Sequence, residues 1–123
     1  MLRKIISGGQ TGADRAGLDF AVEVGLAHGG YVPKERKAED GRIHERYRLI
    51  ELATNSYPER TKRNVRESDG TVILSLSDKL SAGSALTLSY ARQANKPVLY
   101  IHNSETGRDP LPQQVRQLKD FIE

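Results

Sequence analysis

Residues 2–15, LRKIISGGQTGADR, join an apolar run to a glycine-rich turn and then to a helical pattern. The apolar run predicts a strand, and the residues after Asp14 predict a helix. The glycines between them, Gly8, Gly9 and Gly12, let a ligand approach the backbone closely. Because a helix N-terminus offers free N–H groups and the positive end of its dipole, the turn predicts a phosphate-binding site.

The polar side chains around these glycines decide between two interpretations of the turn. Neither common phosphate-loop pattern is present, since the glycines do not follow G-x-G-x-x-G and no lysine follows Gly12. The alternative to a ligand site is a tight strand-to-helix connection that uses glycine only for its conformational freedom. A purely structural turn has no need of several polar side chains, so we favour a ligand site. The predicted binding residues are Ser7, Gly8, Gly9, Gln10, Thr11, Gly12 and Asp14.

The composition is typical of an ordinary single domain. The chain has 123 residues, of which 37% are hydrophobic and 28% charged, and we expect residues 1–123 to form one domain. No apolar run approaches the roughly 20 residues that span a bilayer, and the first apolar segment is too short for a secretory signal. We therefore predict a cytoplasmic protein without membrane association. The absence of cysteine excludes disulfides, thiolate metal sites and a thiol nucleophile.

Basic residues are concentrated in the middle of the chain. The net charge is +3, and the excess lies in residues 34–48 and 60–66. Such a patch suits a phosphorylated small molecule, a nucleic acid or a solvated surface. Nucleic acid is the less favoured partner, because few aromatic residues accompany the charges for base stacking. The histidines, His28, His44 and His102, are scattered, so we predict neither a metal site nor a catalytic histidine.

Strands alternate with helices along the whole sequence. The spacing of apolar residues predicts helices at 14–24, 48–53, 58–67, 85–94 and 111–122. Apolar runs predict buried strands at 71–76 and 97–101, beside the N-terminal strand and a short extended piece at 27–32. A polar stretch, residues 34–47, is predicted to be a loop that serves as a lid or binding segment. The alternation predicts an α/β protein with a three-layer Rossmann-like fold, in which helices cover both faces of a mostly parallel sheet of four or five strands.

Three loops are expected to meet at the carboxyl ends of the strands, where such sheets bind ligands. They are residues 7–14, 33–47 and 76–87. The third loop leads into a helix and contributes Gly83, Ser84 and Thr87 as predicted binding residues. A helix cap at Ser84 and a turn at Gly83 would explain this loop without a ligand. In the second loop Lys34 is predicted to neutralise the phosphate, and a solvated surface charge is the alternative.

A series of motifs extends over most of the chain. They are residues 7–15 with Gly17, Leu18 and Asp19, residues 29–34 and 38–41, Tyr57, Arg60-Thr61, Asn64-Val65, residues 68–71, and residues 83–87 before Lys96-Pro97. In this order they resemble the molybdenum cofactor carrier protein family. That family belongs to a wider Rossmann-like group with the lonely guy type nucleotide phosphoribohydrolases, once called lysine decarboxylase-like. The resemblance implies a ligand that is either the molybdenum cofactor (molybdopterin) or a nucleotide.

The sequence departs from the family pattern at two places. Where the family has Gly-Gly-Thr in the later glycine loop, this chain has Ala82-Gly83-Ser84, which keeps a hydroxyl and loses one glycine. The family continues beyond the last helix into a further strand, whereas this sequence ends at Glu123. We therefore expect the sheet to lack one strand and to expose an edge that a second copy would cover. A homo-oligomer, either a dimer or a tetramer, is predicted.

The sequence leaves three functions open. The favoured one is a binding or carrier protein for a phosphate-bearing cofactor or nucleotide, with the phosphate on residues 7–14. The second is a nucleotide-processing hydrolase of the phosphoribohydrolase type, with Asp14, Asp40 and Asp69 as candidate acids or bases, although each also suits a helix start or a turn. The phosphoribohydrolases carry a P-G-G-x-G-T-x-x-E motif. Its glutamate is missing here, since the corresponding stretch ends Thr87-Leu88-Ser89-Tyr90. The third is a nucleotide-sensing or nucleic-acid-associated module.

Overall fold

The computed structural model describes residues 2–75, 82–102 and 112–122. Contacts group the chain into two compact units. The first, which we call the glycine-loop unit, comprises residues 3–68; the second comprises residues 69–123 together with residues 1–2. The expectation that residues 1–123 form one domain stays a prediction.

The glycine-loop unit begins with a strand–turn–helix–strand arrangement, as the sequence predicts. Strand β1 (Lys4–Ile6) leads into helix α1 (Ala13–Val24), which is followed by strand β2 (Ala27–Gly29). Strands β1 and β2 pair in parallel. Helix α1 ends at Gly25, which has the left-handed conformation common at helix ends (φ 73°) and bonds back to the last turn.

The remainder of this unit consists of short strands and a second helix. Strands β3 (Tyr31–Val32) and β6 (Ile50–Glu51) pair in parallel, and β4 (Lys37–Ala38) and β5 (Gly41–Arg42) form an antiparallel hairpin. A 3-10 turn, Lys34–Arg36, precedes the hairpin, and helix α2 (Tyr57–Glu67) closes the unit. The Ser56 side chain caps α2 by accepting the Glu59 N–H.

The helix predicted at 48–53 is wrong, because this segment extends along β3 instead. The Ile50 N–H donates to the Gly30 carbonyl, and the Leu52 N–H donates to the Val32 carbonyl. Leu52 is buried while Ile50 and Glu51 are exposed. A segment this short holds too few apolar positions to distinguish the helical period from the strand period, so pairing with β3 decides its conformation.

The segment predicted as a lid packs into the core of the glycine-loop unit. The buried cluster contains Leu18 of α1 and Val32 of β3 together with Ala38, Ile43 and Tyr47. Tyr47 is only 2% exposed. The segment is held from within by a buried arginine, Arg36, whose guanidinium donates to the carbonyls of Ile43, His44 and Tyr47. Residues 36–47 therefore form a fixed wall of the unit.

The second unit contains the other predicted strands and helices. Strand β7 (Thr71–Ser75) pairs in parallel with β8 (Val98–His102), and helices α3 (Ala82–Gln93) and α4 (Pro112–Ile122) accompany them. Ile73, Ala91 and Ile101 are buried. Helix α3 begins three residues earlier than the predicted start at residue 85.

The chain is thus a mixed α/β protein with helices and short strands. Among the residues that the structure describes, the strands pair as four two-stranded sheets, three of them parallel. The finer prediction of one three-layer sheet with four or five strands is not confirmed. Within the same residues, no helix is both long and apolar enough to cross a membrane.

Replacing Gly30 by alanine tests the close approach of β3 to the start of the glycine loop. Gly30 has φ +138°, and a Cβ there would lie 2.0 Å from the Ser7 carbonyl oxygen. Because two backbone segments cannot yield easily, we expect Gly30→Ala to lower the free energy of unfolding by at least about 2 kcal/mol. The measurement is urea denaturation.

Gly41→Ala is the matched control for this substitution. Gly41 also has a positive φ, +114°, but a Cβ there would meet no atom within 4 Å in the described part of the chain. Only the conformational cost applies, and a loss of about 1 kcal/mol is expected. Equal losses in the two variants would contradict the predicted clash at Ser7.

Candidate functional site

The glycine loop, residues 7–12, is fixed at its start by Ser7. Its N–H donates to the Gly29 carbonyl of β2 at 3.0 Å. The buried Ser7 hydroxyl accepts the Gly9 N–H at 3.1 Å and donates to the Asp14 carbonyl at 2.9 Å. Ser7 therefore ties the end of β1 to the first turn of α1 and sets the path of the loop between them.

The glycines of the loop serve different purposes. Gly9 has φ +75°, and a Cβ there would lie 2.9 Å from Ile43 and 3.2 Å from Val32, so its backbone packs on the core. Gly12 has φ +83°, and no atom of the described residues lies within 4 Å of its Cβ position, at the point where α1 begins.

The N-terminus of α1 carries no side-chain cap. Gly12 occupies the cap position, and no side chain of the described residues accepts a hydrogen bond from the first turn. The first N–H groups of a helix have no partner within the helix, and the helix dipole gives them a partial positive charge. This end of α1 can accept an anion without displacing a side chain from its first turn.

Arg60 of α2 brings a buried positive charge to the loop. The residue is only 4% exposed, and its Nη1 donates to the Gly8 carbonyl at 3.2 Å. A Cβ at Gly8 would lie 2.6 Å from that Nη1. The Arg60 Nε is buried and has no hydrogen-bond partner in the described part of the chain. Burying a guanidinium whose Nε–H has no hydrogen-bond partner lowers the stability of the fold. An anion bound beside the guanidinium would offset that cost.

Asp14 lies on the same side of the loop as Arg60. Its Oδ2 accepts the Gln10 N–H at 3.3 Å and would lie 3.2 Å from a Cβ at Gly8. Burial raises the pKa of the Asp14 carboxyl, while the charges of Arg60 and Arg15 and the Gln10 N–H oppose that rise. Asp14 is the second residue of α1, and its side chain accepts a hydrogen bond from the turn before the helix. The cap position of α1 is occupied by Gly12.

Arg15 joins the glycine loop to the β4–β5 hairpin. Its guanidinium donates to the Gly9 carbonyl and to both carboxylate oxygens of Asp40. This hydrogen-bonded pair lowers the pKa of the Asp40 carboxyl and leaves Asp40 as an anchor for Arg15. Gln10 and Thr11 also point to this segment, since they donate to the Lys37 carbonyl and the Glu39 carboxylate.

The remaining predicted site residues lie in other parts of the chain, namely the 3-10 turn and the second unit. Lys34 lies exposed in the 3-10 turn. Asp69 is exposed and belongs to the second unit, as do Gly83, Ser84 and Thr87. Gly83 and Ser84 lie within the first turn of α3, so Ser84 does not occupy the cap position that was the alternative to a binding role. Residues 76–81 of the predicted loop lie outside the described residues.

Arg60 and Arg15 are the residues whose roles the sequence reasoning missed. The sequence shows Arg60 only as one of the basic residues concentrated in residues 60–66, yet Arg60, Thr61 and Val65 form the buried side of α2. The spacing of Thr61 and Val65 marks an inward face, and Arg60 adjoins it, which is a signal available in the sequence. Arg15 gives no comparable signal, because the carboxylate that it binds, Asp40, lies 25 residues away in the sequence.

The structure offers no candidate for a protein-bound metal ion within the residues it describes. No group of three or more histidine, aspartate or glutamate side chains is placed there to hold one. The groups beside the glycine loop include backbone N–H donors and the guanidinium groups of Arg60 and Arg15, which suit a phosphate or another oxyanion.

Comparisons with known proteins agree with the motifs. The model of the circularly permutated YpsA SLOG family matches residues 5–122. A 1.45 Å crystal structure of a protein from Syntrophus aciditrophicus SB, described as a putative molybdenum carrier protein, is 53% identical with a TM-score of 0.80. The match covers 84% of this chain but only 65% of that one. Among curated proteins, none matches the chain significantly.

The pKa of Asp14 makes a prediction about stability and pH. The pKa of the Asp14 carboxyl in the folded protein is raised above its ordinary value near 3.8. The ionised carboxyl therefore destabilises the fold, and stability is lost as the pH rises from the ordinary pKa to the raised one. Asp14→Asn keeps an acceptor for the Gln10 N–H and removes the charge. The free energy of unfolding of the wild type, minus that of the variant, should fall as the pH rises above the ordinary carboxyl pKa near 3.8.

Asp40→Asn provides a control of opposite sign. The pKa of Asp40 is lowered by Arg15, so its contribution is present at neutral pH and is lost as the pH falls. The same difference in unfolding free energy should therefore rise with pH for this variant. Urea denaturation at several pH values measures both, and a parallel trend in the two variants would contradict the assignment.

Proposed function

The chain belongs to the circularly permutated YpsA family of the SLOG group, and from this premise we propose that it binds a phosphate-bearing cofactor or nucleotide. The phosphate lies on residues 7–14, which comprise the glycine loop and the first residues of α1. Molybdenum cofactor is the leading candidate ligand, because the 53% identical protein is described as a putative molybdenum carrier. The predicted Rossmann-like sheet would place this loop at the carboxyl end of β1.

The observation that carries the proposal is the buried Arg60 guanidinium beside Gly8. The Asp14 carboxyl compensates this positive charge only in part, because its own pKa is raised. The Arg60 Nε also has no hydrogen-bond partner among the described residues. The uncapped first turn of α1 begins a few residues further along the same loop. A phosphate bound there would receive helix N–H donors and face a positive charge, and both interactions favour an anion.

Asp14 supports one alternative, a nucleotide-processing hydrolase. A carboxyl group with a raised pKa beside a phosphate site is suited to act as a general acid. Asp40 does not fit this role, because its carboxylate is engaged by Arg15. Release of free base from a nucleoside monophosphate would favour the hydrolase, and retention of the intact ligand would favour the carrier.

Two further expectations remain proposals. A homo-oligomer would bury the apolar side chains that α1 exposes, such as Phe20 and Val24, which are 50% and 56% exposed. Nucleic acid is not a favoured partner, because the Arg63 guanidinium on the exposed side of α2 is already paired with Glu59. The contributions of Lys34, Gly83, Ser84 and Thr87 to ligand binding likewise stay predictions.

Arg60→Gln tests the phosphate site. Removing the guanidinium deletes the buried positive charge, and a charge-assisted interaction of about 1.5–3 kcal/mol is worth tenfold or more in affinity. We expect the affinity for guanosine monophosphate and for a molybdopterin preparation to fall at least about tenfold. Isothermal titration calorimetry measures the affinity, and urea denaturation confirms that the variant is folded.

Arg63→Gln is the matched control, since it removes the same charge from the exposed side of the same helix. Arg63 pairs with Glu59 and makes no contact with the glycine loop among the described residues. Its affinity should stay within about threefold of the wild type, because exposed charges act weakly. Equal losses in the two variants would show that the charge acts only over long range, and an unchanged Arg60→Gln would refute the site.

A further inference from the structure

Tyr57 is an exposed aromatic side chain at the first residue of α2. It is 44% exposed, although aromatic rings usually bury most of their surface in a folded protein. The guanidinium carbon of Arg60 lies 4.3 Å from the centre of the Tyr57 ring. This distance is that of a cation–π contact, so one side of the ring is held by Arg60 while much of the ring remains open to solvent.

The same guanidinium places this ring next to the glycine loop. While its carbon lies over Tyr57, its Nη1 donates to the Gly8 carbonyl at 3.2 Å. Arg60 is itself buried and has little freedom to move. The Tyr57 ring and the glycine loop, to which we assign the phosphate, therefore both contact the Arg60 guanidinium.

We propose that Tyr57 stacks on a planar heterocycle carried by the phosphate-bearing ligand. The inference rests on the proposed phosphate site and adds to it the residue that contacts the ring of the ligand, whether that ring is a purine or a pterin. A stacked ring would cover the exposed aromatic surface while its phosphate occupies the loop. Stacking on an aromatic side chain tolerates different heterocycles, since each has a π face.

The contact with Arg60 makes Tyr57 suited to stacking. The guanidinium fixes the orientation of the ring, so less rotational freedom is lost when a ligand binds. The phenol hydroxyl is not needed for a contact between ring faces. A phenylalanine at this position would therefore keep the function, while an aliphatic side chain of similar size would lose it.

The test compares two ligands that share a phosphate and differ in the ring. Guanosine monophosphate carries the base and ribose 5-phosphate does not, so the ratio of their affinities isolates the contribution of the heterocycle. In Tyr57→Leu we expect this ratio to fall about tenfold, the usual effect of removing a stacking aromatic. In Tyr57→Phe the ratio should be unchanged. Calorimetry at fixed salt measures both ligands.

The outcomes separate this inference from the proposed function. An unchanged ratio in Tyr57→Leu, with ribose 5-phosphate still bound, would overturn the stacking role and leave the phosphate site intact. A tenfold fall shared by Tyr57→Phe would also overturn it, because the hydroxyl would then carry the effect. If the wild type binds neither compound, the phosphate site fails and the stacking role with it.

Discussion

A guanidinium buried against a backbone carbonyl is the constraint on which the rest of this site depends. Arg60 extends from α2 to the Gly8 carbonyl, and the absence of a side chain at Gly8 makes room for it. Burying a charge costs several kcal/mol unless it is well compensated. The carboxyl group of Asp14 also lies beside Gly8, and its burial raises its pKa and so disfavours its ionised form. A bound anion would compensate the guanidinium more fully than Asp14 does.

The loop is held in place by contacts on three sides, and a ligand at the proposed site would meet a loop that is already ordered. Ser7 fixes its start, the core under Gly9 fixes its middle, and Arg15 ties it to Asp40 of the hairpin. Groups that are already oriented lose little entropy on binding. The hairpin segment therefore acts as a support for the loop, although the sequence alone suggests a lid.

Elements that depend on neighbouring residues are predictable from this sequence, and elements that depend on residues distant in the sequence are not. Strand β1, the glycine turn and helix α1 follow from a local pattern, and the observed bounds of α1 differ from the predicted ones by a single residue. The strand at Ile50 and the packing of Tyr47 depend on pairing and burial against distant residues, which a local pattern does not encode. Arg60 was misjudged for a related reason, because an arginine in a basic run is normally solvated.

The most direct measurement is a ¹H–¹⁵N NMR titration with inorganic phosphate that includes the arginine Nε–H resonances. If phosphate binds at the start of α1, the largest shifts fall on the amides of Gly12 and Ala13 and on the Nε–H of Arg60, the donor with no partner among the described residues. Arg63 Nε, which is engaged by Glu59, serves as the internal reference. Shifts that leave the loop and Arg60 unaffected, or that fall mainly on exposed basic residues, would contradict the account.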